Sequence, residues 1–190
     1  MKQKSFKDLF SAMKPVVALT VICSCVAAVL VGVNMLTSAK IEENLDAAER
    51  AAVCEVFGDE DAAPEEIEGA PDIVNKVCRV TKDGRLLGWS VSVSPDGFGG
   101  SIDMVVGIGT DGRITGVAIT SLSETPGLGS RVAEKNYLEG YTGKSGKLVL
   151  KKDVDAISGA TISSRSVLAG INAALDAAEQ MGLAKGGDAQ

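Results

Sequence analysis

The residues with the most chemistry to offer lie together near the C-terminal end, in Asp155-Ala156-Ile157-Ser158-Gly159-Ala160-Thr161 followed by Ile162-Ser163-Ser164-Arg165-Ser166. A long helical pattern begins at Thr161, so Ser158, Thr161, Ser163 and Ser164 fall at a helix N-terminus. Free backbone N–H groups and the helix dipole favour an anion there. The hydroxyls and Arg165 add donors, and Gly159 and Ala160 are small enough for a ligand to approach the main chain. Together they describe a phosphate site. The same residues also read as a serine-rich N-cap with no ligand.

A second candidate is Glu124-Thr125-Pro126-Gly127-Leu128-Gly129. Pro-Gly suits the central positions of a type II turn. Such a turn is stiff, and it presents Leu128 at its tip beside Glu124 and Thr125, an arrangement able to cover a flat ring; an ordinary surface turn is the bland alternative. Gly143-Lys144-Ser145 resembles the end of a nucleotide-binding P-loop, but the pattern needs Gly five residues before Gly143 and Leu138 stands there. Nucleotide hydrolysis is excluded; Lys144 is left as either a phosphate contact or a surface charge.

The chain has no histidine. That removes Ser-His-Asp triads, Cys-His pairs and His-ligated zinc or haem, along with the usual proton shuttle near neutral pH. Nothing in the chain activates Thr161 as a nucleophile, so a covalent phosphate bond on it would need a separate enzyme. No residue is assigned a catalytic or metal-binding role, and any redox chemistry would belong to a cofactor. The formal net charge of −6 lacks a basic nucleic-acid footprint.

The elements that must position these residues follow from the apolar pattern of the 190 residues. Val167, Ile171, Ala174 and Ala178 define the face of a helix from 161 to about 181, stopping at Gly182. Val74–Thr81 and Leu86–Val93 flank Asp83-Gly84; Ile102–Ile108 and Ile114–Ser121 flank Asp111-Gly112. Asp-Gly between apolar runs signals a hairpin whose turn residues both accept φ > 0. Leu148–Leu150 reads as a short strand before the phosphate-site segment. Ile41, Leu45, Ala48, Ala52, Val53 and Val56 share one helical face over 40–57. Residues 59–72, acidic with two prolines, read as a solvated loop. The fold class is α+β: an antiparallel β-meander flanked by helices.

Pro15–Leu36 is 22 residues without a charge, long enough at about 33 Å for a hydrocarbon core of about 30 Å. Lys2, Lys4, Lys7 and Lys14 precede it, and Glu42, Glu43 and Asp46 follow Lys40. The positive-inside rule puts residues 1–14 in the cytoplasm and residues 37–182 outside, with 183–190 a flexible tail. A cleaved signal peptide fits less well, because Thr37-Ser38-Ala39 is a poor cleavage site. An extracytoplasmic Cys54 and Cys78 are compatible with a disulfide or with two free thiols.

With Asp155 three positions before it, Ser158-Gly159-Ala160-Thr161 resembles the flavinylation motif of two kinds of FMN-binding protein. They are the G subunit of the Rnf ion-translocating oxidoreductase complex and the C subunit of the sodium-pumping NADH:quinone oxidoreductase. Glu124–Gly129, Gly97-Phe98-Gly99-Gly100 and the order of anchor, outer domain and C-terminal motif are similar too. The modest length is more like the Rnf protein. The resemblance implies FMN joined through its phosphate to the Thr161 hydroxyl, with Ser158, Gly159, Ala160, Ser163, Ser164, Glu124, Thr125, Gly127, Leu128 and Lys144 around it. It also implies attachment by a flavin transferase of the ApbE type, using FAD and magnesium outside the cytoplasm. The implied role is electron transfer within an ion-translocating ferredoxin:NAD⁺ oxidoreductase at the cell membrane, in company with the other Rnf subunits. A stand-alone flavinylated carrier and a non-redox anchored binding module are the competing readings.

Overall fold

The computed structural model describes residues 6–183. The chain divides into two compact units, residues 1–45 and residues 46–190. Helix α1, Phe6–Phe57, supplies the described part of the first unit and opens the second. Within it Pro15–Ser38 has a mean hydropathy of 2.8 and none of it is buried. This segment is long and apolar enough to cross a membrane.

The second unit is α+β. Strands β1 (Ala63–Glu66), β2 (Lys76–Lys82), β3 (Arg85–Val93), β4 (Ile102–Gly109) and β5 (Ile114–Leu122) form one sheet in the order β1-β2-β3-β4-β5, each antiparallel to the next. A short 3₁₀ helix (Gly129–Ala133), helix α2 (Lys135–Glu139) and helix α3 (Thr161–Gln180) follow.

The sheet is covered on both faces. On one, Val167, Ile171 and Ala174 of α3 join Val91, Val93, Met104, Val106 and Ile108 in the main core. On the other, Ala52, Val53 and Val56 from the end of α1 pack with Val80, Val105 and Ala118. Burial on both faces explains why β4 reads as an almost unbroken apolar run. The end of α1 comes close because the sheet offers glycine beneath it: a Cβ at Gly116 would lie 2.9 Å from the Val56 main chain. Leu45, assigned by its spacing to the packed face, is exposed.

Both Asp-Gly hairpins form, by different turns. At β2–β3, Asp83 (φ 50°) and Gly84 (φ 78°) are both left-handed, as type I′ requires. At β4–β5 only Gly112 is left-handed (φ 74°). Gly112 N–H donates to Gly109 O, and Gly109 N–H donates to Arg113 O. This is a type I turn closed by a glycine bulge, so the expected positive φ at Asp111 is not needed.

Two other expectations are corrected. Part of the acidic 59–72 segment is not loop but the edge strand β1, paired with β2 from Ala63↔Thr81 to Glu66↔Cys78. Its Pro64 suits an edge position, where a missing donor costs nothing. Leu148–Leu150 is not a strand: it makes only an isolated bridge, Leu150↔Val154. Helix α3 begins at Thr161 as expected and ends on Gly182 (φ 70°), where Leu183 N–H reaches Ala178 O. Cys54 and Cys78 are both free thiols. Residues 1–5 and 184–190 lie outside the described residues, and with them most of the expected tail.

Candidate functional site

Three segments distant in sequence meet at the start of α3. Phe98, Glu124, Thr125, Leu128, Gly129 and residues 159–163 line one open pocket of about 270 Å³.

The helix start is unusual for so serine-rich a sequence. Its N-cap is Ala160 (φ −122°, ψ 38°), no side chain caps it, and no acidic residue occupies its first turn. Helix geometry leaves the first-turn N–H groups without partners inside the helix. The serines that would cap are engaged elsewhere or turned away. Ser164, fully buried, accepts from Ile157 N–H at 3.1 Å. Ser166 donates to Asp96 O at 2.6 Å and to Ile162 O at 3.2 Å. Ser158 is exposed. The plain N-cap reading therefore fails in this fold, and the helix dipole points its positive end at the pocket. Gly159 (φ 83°) makes the turn into the helix; a Cβ there would lie 2.9 Å from Leu128 Cδ1. The phosphate-site segment and the Leu128 tip thus touch through a glycine.

The second segment is the type II turn expected from Pro-Gly. Gly127 has φ 73° and Leu128 N–H donates to Thr125 O at 3.2 Å. Ser130, which motif reading passed over, braces it: its Oγ accepts from Gly127 N–H at 2.9 Å, and its own N–H donates to Thr125 O at 3.2 Å. The third segment, Gly97–Gly100, lies flat against Ser123-Glu124, where a Cβ at Gly97, Gly99 or Gly100 would collide. Phe98 is its one side chain, and it is 71% exposed.

Phe98, Leu128 and Ile162 form an apolar rim around the polar helix start. Of these only Leu128 was among the expected site residues. Phe98 was legible as a lone aromatic in a glycine run, and Ile162 as an apolar residue on an exposed first turn. Gly159, Ala160, Thr161, Ser163, Glu124, Thr125 and Leu128 line the pocket; Gly127, Ser158 and Ser164 support its segments without lining it.

Lys144 is a correction. Its carbonyl accepts from Ile114 N–H where β5 begins, whereas Glu124 follows the other end of that strand. A nine-residue strand separates the two by roughly 25 Å, beyond any lysine's reach. Asp155 and Arg165 are exposed and lie outside the lining.

The arrangement fits a ligand with a phosphate and a flat apolar part: free main-chain donors and a half-buried threonine hydroxyl at one end, Phe98, Leu128 and Ile162 at the rim.

Comparison with known proteins agrees. Residues 97–176 match the model of a family described as FMN-binding domain. Over 101 residues the chain is 38% identical to the G subunit of the Na⁺-translocating ferredoxin:NAD⁺ oxidoreductase complex of Acetobacterium woodii, covering 47% of this chain and 48% of that protein. It is 37% identical over 93 residues to the G subunit of the ion-translocating oxidoreductase complex of Pseudomonas aeruginosa, covering 43% and 44%. With the corresponding Haemophilus influenzae protein it shares 29% identity over 169 residues, covering 79% and 80%. The chain spans about half the length of the first two relatives. A crystal structure of the C subunit of a Na⁺-translocating NADH-quinone reductase from Parabacteroides distasonis has the same fold, with a TM-score of 0.60 at 18% identity, covering 80% of this chain and 98% of that one. Residues 97–176, the part of the chain similar to the FMN-binding domain family, contain all three segments of the pocket, and the three relatives named above are G subunits of ion-translocating oxidoreductase complexes.

Proposed function

We propose that this chain is a membrane-anchored electron-transfer subunit of an Rnf-type ion-translocating oxidoreductase, carrying FMN as a phosphodiester on Thr161. The observation that carries this reading is the start of α3. Its N–H groups have no side-chain cap, and Thr161 faces a pocket rimmed by Phe98, Leu128 and Ile162.

Each part of the site has a task. The Thr161 hydroxyl is the point of attachment. The first-turn N–H groups and the helix dipole stabilise the remaining phosphodiester charge. Ala160 and Gly159 keep the main chain accessible. Leu128 and Phe98 shield the apolar ring from water on the rim side. When bound, FMN supplies the capacity to accept and release electrons. No histidine is present, and Glu124, the one ionisable residue in the described lining, is engaged with the Phe98 N–H, which supports attachment by a separate flavin transferase. In that transfer the Thr161 oxygen forms its bond to the FMN phosphorus of FAD, the pyrophosphate bond breaks and AMP leaves.

The lysines before Pro15 support a reading with the N-terminus in the cytoplasm and the pocket-bearing domain outside, where a covalent bond would prevent loss of the cofactor. The other subunits of the complex supply the remaining electron path, and their co-purification separates this reading from a stand-alone carrier. Flavin fluorescence in a denaturing gel tests attachment: the chain made alongside its transferase is expected to fluoresce and Thr161→Ala to be dark. Fluorescence that survives Thr161→Ala would move the attachment elsewhere.

A further inference from the structure

Glu124 belongs to the pocket by position, yet its contacts run to the protein. Its Oε1 accepts the Phe98 N–H at 2.6 Å. The carboxylate occupies space that a Cβ at Gly97 or Gly129 would take, so glycines on both sides make room for it. Gly97 and Phe98 belong to the glycine-rich loop, Gly129 to the end of the turn that carries Leu128. Glu124 therefore links the two segments that supply the apolar rim. The loop is held from its other side by Ser166 of α3, which donates to Asp96 O, and by Gly170, where a Cβ would lie 2.9 Å from Pro95 Cγ. Glu124 is also the one ionisable side chain among the described residues that line the pocket.

We propose that Glu124 is a positioning residue whose carboxylate latches the Gly97–Gly100 loop to the Leu128 turn, fixing Phe98 at the pocket mouth, and whose charge disfavours reduction of the flavin bound there. The charge half rests on the flavin reading above; the latch does not. A main-chain donor held by a carboxylate makes a charge-assisted bond, stronger than one to a neutral acceptor, so its removal frees the loop. A fixed negative charge beside an electron acceptor opposes the added electron most where water is excluded.

Two variants of the full chain separate the effects. Glu124→Gln keeps an oxygen to accept from Phe98 N–H and removes the charge; Glu124→Ala removes both. Amide hydrogen exchange is read on flavin-free chain made without the transferase. Phe98 is expected to exchange slowly in the parent and in Glu124→Gln, and at least tenfold faster in Glu124→Ala. Equal exchange in parent and Glu124→Ala overturns the latch. The midpoint potential is read on the flavin-loaded chain, where Glu124→Gln is expected to be more positive than the parent. An unchanged or more negative potential overturns the charge role. A parent chain that takes up no flavin from its transferase would refute both the flavin reading and the charge role, while the exchange result still decides the latch.

Discussion

At the scale of single residues, the site depends on where side chains are missing. Gly159 is left-handed, and the space its Cβ would fill belongs to Leu128. An L-residue in that conformation costs about 1–2 kcal/mol, and the added methyl also pushes against the Leu128 tip. Gly159→Ala is therefore expected to lower thermal stability and to reduce flavin loading, both read on the detergent-solubilised chain. Loading and melting temperature equal to the parent would show that the turn and the Leu128 contact do not matter. The serines teach a complementary lesson. Ser158, Ser163 and Ser164 look like caps in sequence, but Ser164 is committed to Ile157 N–H and α3 has no side-chain cap. Residue types point to the candidate site; only the tertiary contacts distinguish a capped helix from an open one.

At the scale of elements, two ties connect the end of α1 to the sheet. The first is contact without side chains, at Gly107 and Gly116 beneath Val56. Gly116→Val has no room there and is expected to destabilise the fold by about 1–3 kcal/mol, the usual cost of overpacking, visible as a lower midpoint in urea. An unchanged midpoint would mean that α1 does not rest on β5. The second is Lys82, which donates to Asp59 at 2.6 Å and 2.8 Å. The Lys82 hydrogen bond, helped by the Asp61 N–H, holds the Asp59 carboxyl below its usual range, and Asp59 in turn raises Lys82. A depressed carboxyl stabilises the fold above its unfolded pKa of about 4, and that stabilisation is lost as pH falls through the lower folded value. A raised lysine stabilises below about 10.4, and loses that as pH rises through its higher folded value. The stability difference between the parent and Asp59→Asn should thus be flat from about pH 5 to pH 9 and shrink at either extreme. A difference that grows on acidification would contradict the pair. The strands of the meander were legible because their apolar runs are bounded by Asp-Gly. Strand β1 was not, since Pro64, Glu65 and Glu66 look like loop and owe their pairing to β2. The 3₁₀ helix and α2 were missed because five residues each are too few to show a period.

At the scale of the whole molecule, the three segments of the site are separated by residues 101–123 and 130–158 and are joined only by the fold: the glycine loop precedes β4, the turn follows β5, and α3 packs across that sheet. Motif reading found two of them and the resemblance found the third. Lys144 lay beyond it because the distance along β5 is invisible without the sheet. The exposed apolar segment Pro15–Ser38 and the preceding lysines make a topological prediction. Alkaline phosphatase fused after residue 190 should be active, and a fluorescent protein folded only in the cytoplasm should be dark there. The opposite pattern would place the domain inside. The most direct measurement for the account as a whole is the intact mass of the full chain produced beside its own transferase. The expected mass is that of the polypeptide plus one FMN less one water, with the addition mapped to the peptide carrying Thr161 and absent from Thr161→Ala. An unmodified mass, or an addition on any other residue, would contradict the claim that Thr161 holds the flavin.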